Sequence, residues 1–197
     1  MSTKLKLLDV RLSFPDLFEA VEFKAGDGKP RYNASFLVVP GSENDKKIEA
    51  AIAAEVKAAF ADAAKGAKWL AGIRGQSNKD CYTDGDKKEY DGYEGMKVLS
   101  SHRRAKDGPV GVYGNVIDPQ TGKVVVLTEL AGKPYAGSYV NATVEIYLQT
   151  KGENQGVRSG LQAVQFARDG DAFSGSKPAT PDDFDALEQG ADAEAMT

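Results

Sequence analysis

Residues 138–149 read SYVNATVEIYLQ. Val140, Ala142, Val144, Ile146 and Leu148 fall on one side of an extended chain; Tyr139, Asn141, Thr143, Glu145 and Tyr147 fall on the other. Successive side chains of a strand point to opposite faces, so this period of two marks a half-buried β-strand. Working outward, residues 157–168 (VRSGLQAVQFAR) form a further strand, in which Gly160 predicts a bulge. Residues 123–129 (KVVVLTE), 110–117 (VGVYGNVI) and 96–103 (MKVLSSHR) are short strands, with the turn Asp118-Pro119-Gln120-Thr121-Gly122 between the first two.

Toward the N-terminus, RYNASFLVVP at 31–40 alternates again, with Tyr32, Ala34, Phe36 and Val38 on one face. It follows a turn, AGDGKP at 25–30. Residues 4–14 (KLKLLDVRLSF) read as a strand ending at Pro15, and 17–24 (LFEAVEFK) as a weaker second one. One stretch changes period. Between Ser42 and Ala64, Ile48, Ile52, Val56 and Phe60 recur every fourth residue, with Ala51, Ala59 and Ala63 alongside. That predicts a helix, with Ser42 or Asn44 as its cap and Gly66 at its end. Residues 66–95, heavy in Gly, Asp, Lys and Tyr, read as a long loop with a short helical turn near Trp69–Ile73. The sum is a mainly β fold over residues 1–173. The simplest arrangement is an OB-fold-like β-barrel with one inserted α-helix after the third strand. Residues 174–197 hold few apolar groups and should form a disordered acidic tail, because burial there cannot offset the entropy of ordering.

Charge is unevenly spread. Residues 169–197 carry eight acids and one base, a balance of −7; residues 1–168 carry 24 basic and 21 acidic residues, a balance of +3. The single cysteine, Cys81, excludes an internal disulfide, and no apolar run approaches the roughly 20 residues that span a bilayer. The opening MSTKLKLLDVRLSF lacks a signal-peptide core. A soluble intracellular protein is expected.

Catalytic chemistry finds little support. His102 is the only histidine, flanked by Ser100, Ser101 and Arg103, and no orienting acid is grouped with it. One Cys and one His cannot build a structural zinc site. Asp80-Cys81-Tyr82-Thr83-Asp84-Gly85-Asp86 departs from a calcium loop at Tyr82 and lacks the closing Glu at Asp91. No phosphate-binding glycine motif is present. No cofactor, no metal and no enzyme activity are expected.

What accumulates is tyrosine among basic residues. Binding of single strands needs cations to follow the phosphates and aromatic faces to stack the bases. Arg31 stands with Tyr32, Lys68 with Trp69, Lys79 with Tyr82, and Lys87 and Lys88 with Tyr90 and Tyr93. Arg103, Arg104 and Lys106 are near Tyr113, Lys133 is beside Tyr135, and Tyr139 and Tyr147 share the outer face of one strand. Half-buried packing is the ordinary alternative for each tyrosine.

The C-terminal third carries a resemblance. Pro134-Tyr135-Ala136-Gly137-Ser138-Tyr139-Val140-Asn141-Ala142, then Lys151-Gly152, Gly156-Val157-Arg158-Ser159-Gly160-Leu161-Gln162-Ala163-Val164-Gln165 and Arg168-Asp169-Gly170, resemble a phage-encoded single-stranded DNA-binding family. The opening strand and the helix after RYNASFLVVP fit too, so the likeness covers most of 1–170. It implies an OB fold and sequence-independent binding of single-stranded DNA. It also implies a role in phage replication, recombination or repair, in the cytoplasm of the infected bacterial host. On that footing Arg31, Tyr32, Trp69, Arg103, Arg104, Tyr113, Tyr135, Tyr139, Tyr147 and Arg158 are the expected nucleic-acid contacts. The resemblance further implies that the acidic end, with Asp182, Asp183, Phe184 and Asp185, occupies the DNA groove weakly and recruits phage or host replication proteins. The chain ends Ala195-Met196-Thr197, without the aromatic or hydrophobic tip such proteins often carry. Two rivals remain: a small β-barrel phage structural or assembly protein without DNA binding, and a magnesium-dependent nuclease. The nuclease would need clustered carboxylates, and Asp9, Glu129 and Glu145 are scattered in sequence.

Overall fold

The first strand, β1 (Ser2–Val21), is one long bent ribbon, where the sequence suggested two strands broken at Pro15. It stays continuous by kinking: Asp9 and Phe14 take positive φ of 52° and 47°, and the pairing register shifts beside each. Pro15 sits in the second kink, where its missing N–H interrupts no ladder bond. The computed structural model describes residues 2–22, 26 and 28–173; the predicted tail, 174–197, lies outside the described residues.

After β2 (Arg31–Val38) come two helices, α1 (Glu43–Ala59) and α2 (Ala63–Ile73), where one helix and a loop were expected. The start of α1 is as read, with Ser42 Oγ accepting from the Asp45 N–H. Its predicted stripe is buried at Ile48, Ile52 and Val56. The difference is at Asp62, whose carboxylate accepts from the N–H groups of Ala64 and Lys65 and so starts a new helix. Gly66 does not end a helix. It lies inside α2, where a Cβ would sit 3.0 Å from Val56, so its lack of side chain lets α2 pack on α1.

The remaining strands are β3 (Tyr82–Asp84), β4 (Lys97–Arg104), β5 (Gly111–Ile117), β6 (Val124–Val126), β7 (Tyr139–Gln149) and β8 (Gly156–Arg168). β1 pairs antiparallel with β2 and β7, β2 with β4, and β7 with β8. A parallel bridge between His102 and Gly160 joins β4 to β8 and closes a five-stranded barrel. This is the strand order of an OB barrel, with the helices between the second and third barrel strands. Counting β1 as two strands had put the insertion one strand later. β5 and β6 form a hairpin outside the barrel on β8. The bulge predicted at Gly160 lies at Gln162, where the β7–β8 register slips between Ala163 and Leu161.

Leu7, Leu12, Phe36, Leu99, Val140, Val144, Ile146 and Leu161 fill the barrel, and Ile48 and Ile52 of α1 are sealed with them. Each fully buried side chain of this size contributes roughly 1.5–3 kcal/mol. The alternation of β7 is realised residue for residue, Val140 to Ile146 buried and Tyr139 to Tyr147 half-exposed.

Candidate nucleic-acid interface

Side chains two apart on β2 and β4 share a face, so Arg31 and Asn33 lie on the barrel exterior with His102 and Arg104. The closing bridge sets β8 next to β4, which brings Arg158, Gly160 and Gln162 alongside. β7 then adds Glu145 and Tyr147, paired with Gly160 and Arg158. Lys29 and Pro30, from the β1–β2 connection, wall one end; the Pro30 carbonyl accepts from the Ala105 N–H. The result is an open groove of about 1390 Å³. It is lined by six cationic side chains, Lys29, Arg31, Arg103, Arg104, Lys106 and Arg158, against two carboxylates, Asp107 and Glu145.

These cations are held in different ways. Arg158 donates to the backbone carbonyls of Asn78 (2.8 Å) and Asn154 (2.8 Å), which fixes its guanidinium across the groove floor. Arg103 donates to the Gly108 carbonyl (2.8 Å), to Gln162 Oε1 (3.0 Å) and to the Asp107 carbonyl. Arg104 is the more exposed, forked onto the Asp107 carboxylate at 2.7 and 3.2 Å. That hydrogen bond holds the Asp107 carboxyl below its usual range and answers one of the two acids. Glu145 accepts from Ser2 Oγ and Gln162 Nε2.

His102 reports the local field. Burial first, then Arg31, Arg158 and Arg104, push its pKa below the ordinary 6.5, so the ring is neutral at pH 7. Tyr147 is the aromatic residue of the groove. Burial raises its phenol, while Arg158 and Arg104 pull the other way. The arrangement offers positive charge, one ring and amide groups, which suits a phosphate chain with attached bases better than a reaction. Among the described residues no group of three or more His, Cys, Asp or Glu could hold a metal ion. A second cavity of about 380 Å³ is lined by an internally satisfied ion network. There Lys97 bridges Asp45 and Glu49, and Arg74 pairs with Glu49 and Asp80.

Of the residues expected from sequence, Arg31, Arg103, Arg104, Tyr147 and Arg158 converge on the groove. The others are elsewhere. Tyr32 packs against the barrel core. Trp69, on α2, packs against Phe60 at 5.4 Å and donates its indole N–H to Gln155 at 3.0 Å. Tyr113 lies on the outer hairpin, over Gly111. Tyr135 hydrogen-bonds Asp169 (3.0 Å), and Arg168 covers the Tyr139 ring at 3.4 Å. The tail residues Asp182, Asp183, Phe184 and Asp185 lie outside the described residues. Lys106, noted in the sequence with Arg103 and Arg104, lines the groove as well, while sequence reasoning missed Lys29 and Gln162 as groove residues. Lys29 lies within the stretch 25–30 that reads in sequence only as a turn, and Gln162 is placed by the bulge.

Similarity to known proteins bears on the fold and the family. The solved structure of the single-stranded DNA-binding protein from bacteriophage Enc34 in complex with single-stranded DNA matches with a TM-score of 0.63 and 20% identity, covering 86% of this chain and 88% of that one. Gp2.5, a single-stranded DNA binding protein encoded by bacteriophage T7, matches with a TM-score of 0.54 and 12% identity, covering 98% of this chain and 100% of that one. Putative protein p50 of Acyrthosiphon pisum secondary endosymbiont phage 1 is 39% identical over 201 residues, 98% of both chains. Residues 3–196 match the family described as Enterobacter phage Enc34, ssDNA-binding protein, and the chain therefore belongs to that family of phage single-stranded DNA-binding proteins.

Proposed function

We propose that this member of the family holds single-stranded DNA in the groove over β2, β4, β8 and β7, without sequence preference and without acting on it chemically. The observation that carries the reading is the convergence of six cations on one surface that holds only two carboxylates, one of them already paired with Arg104. Cations there displace counterions from phosphates, and Tyr147 offers a ring to one base. The work this suits is phage DNA replication, recombination or repair, in the cytoplasm of the infected host. Among the described residues no helix is long and apolar enough to cross a membrane.

The test is anisotropy titration of labelled oligo-dT over a salt series. The logarithm of affinity should fall linearly with the logarithm of salt, with a slope of about −0.7 per neutralised phosphate. Arg104→Ala should flatten that slope by about 0.7, because its side chain holds no part of the barrel together. An unchanged slope with intact folding would remove Arg104 from the interface.

The acidic end, of which residues 174–197 carry a balance of −5, extends this reading. Phe173, the last described residue, donates its N–H to the Ala136 carbonyl, and its ring lies under the Arg11 guanidinium at 4.4 Å. From there 24 residues remain, a length whose extended limit is about 80 Å. A tethered anion competes for the groove at high effective concentration. Removing 174–197 should therefore tighten oligo-dT binding at low salt, and equal affinity with and without the segment would end the masking idea.

A further inference from the structure

Among the described residues the groove supplies many cations but few rings, Tyr147 and the His102 imidazole, and stacking is half of single-strand binding. Among the described residues, the aromatic side chains that stand exposed are Phe14 and Tyr90, at 51% and 53%. They touch each other, edge to face, with ring centroids 5.0 Å apart. Tyr93 sits beneath them, 5.3 Å from Tyr90 and 6.5 Å from Phe14, fully buried, with its hydroxyl on Ser13 Oγ at 3.1 Å.

Their place on the barrel follows from the register. Ser100, His102 and Arg104 share one face of β4; Arg31, Asn33 and Ser35 share the matching face of β2. Ser13 of β1 pairs with Ser35, which pairs with Ser100. The surface that begins at Arg31 and Arg104 therefore continues past Asn33, whose amide donates to the Asp16 carboxylate, and past Ser35 and Ser100 to the aromatic pair, which stands over the buried Ser13. The distance is about four residues along a strand, or roughly 13 Å. Phe14 reaches this face through its backbone. Strict alternation would turn it away from the side of Ser13, but its φ of 47°, rare for a bulky residue, brings both residues to Tyr93. Tyr90 is set by a tight loop in which Tyr93 N–H donates to the Tyr90 carbonyl and Met96 N–H to the Tyr93 carbonyl.

We infer that Phe14 and Tyr90 form a second stacking site that receives a base of the same DNA strand after it leaves the cationic groove. The inference rests on the groove reading of the proposed function. Glu89, Asp91 and Glu94 border the pair in sequence and the Lys88 ammonium lies 5.8 Å from the Tyr93 ring, so removing the two rings takes away stacking and leaves the local charge as it was. This sets it apart from the groove in experiment. Affinity should depend on the rings, while the salt slope should not.

The experiment measures the full chain against oligo-dT of about 4 and about 12 nucleotides, lengths at the lower and upper part of the range one OB barrel occupies. Tyr90→Ala and Phe14→Ala should weaken the longer oligonucleotide about 5- to 100-fold, leave the shorter one unchanged and keep the salt slope. Tyr90→Phe should retain wild-type affinity, because it keeps the ring. Phe14→Gly, which relieves the backbone at φ 47°, serves as a well-folded loss of the Phe14 ring should Phe14→Ala melt early. Retained affinity for the longer oligonucleotide in Tyr90→Ala would overturn the inference, as would an equal loss on both lengths. If those variants are silent while Arg31→Ala with Arg104→Ala weakens both lengths, the groove stands and the second site falls. If all are silent, the groove reading falls.

Discussion

Tyr147 and Tyr139 lie on the same face of β7, eight residues apart, and both stand near arginines. Tyr147 opens onto a groove where Arg158 holds two backbone carbonyls, Arg103 backbone carbonyls and Gln162, and Arg104 the Asp107 carboxylate. Tyr139 is closed. Arg168 lies flat on its ring at 3.4 Å, Arg11 approaches at 5.7 Å, and Arg168 is also forked onto Asp9 at 3.0 and 2.8 Å. Nearby, Lys133 is divided between Asp169 and the Phe166 ring. Composition is alike at the two ends. What differs is that the Tyr139 ring is covered by an arginine that is itself forked onto a carboxylate, and a ring already covered has less stacking to offer a ligand.

The comparison can be broken most directly with charge. Arg31→Ala with Arg104→Ala should lower oligo-dT affinity about 10- to 100-fold near physiological salt, whereas Arg168→Ala with Lys133→Ala should change it less than about twofold. Equal losses in the two pairs, read by the same titration, would erase the distinction. The rings come next. Tyr147→Ala should cost about 1–3 kcal/mol of binding. Tyr139→Ala should leave binding near wild type and lower the melting temperature, since it strips the Arg168 stack.

A smaller effect sharpens the contrast through pH. His102 has a lower pKa folded than unfolded, so the unfolded chain takes up the proton first. Stability should fall as pH drops below about 6.5 and level off beneath the folded pKa. Phosphates in the groove favour the charged ring, so affinity should rise a few-fold over that same descent, by about the factor one added cation supplies. His102→Gln should remove both trends, as followed by melting and titration between pH 7.5 and 5.5. Smallest is a change away from either tyrosine. Asp62→Ala should cost about 1 kcal/mol of stability by uncapping α2, with no effect on binding.

The fold was legible where local pattern and final packing agree. The alternation of Val140 to Ile146 and the four-residue spacing of Ile48, Ile52 and Val56 survive into the structure unchanged. The kinks of β1 were hidden because Asp9 and Phe14 take a backbone region that glycine normally occupies, and no glycine marked them. The α1–α2 break is marked by Asp62, which lies inside the stretch Ser42 to Ala64 that reads in sequence as one helix. Five of the expected contacts meet in the groove because parallel closure between β4 and β8 sets Arg158 near Arg104. No spacing within the sequence reports a seam between segments more than fifty residues apart. Tyr139 and Tyr135 drew attention for the same composition, yet their partners, Arg168 and Asp169, come from the far side of the β7–β8 hairpin.

The single parallel bridge between His102 and Gly160 has a mechanical side. The barrel hoop is joined there by its sparsest pairing, and the groove straddles that joint, with Arg104 on one bank and Arg158 on the other. A polyanion lying across it would act as a clasp. Amide protons of β4 and β8 should then exchange more slowly in the complex than in the free protein, so that the ligand helps hold shut the vessel that carries it.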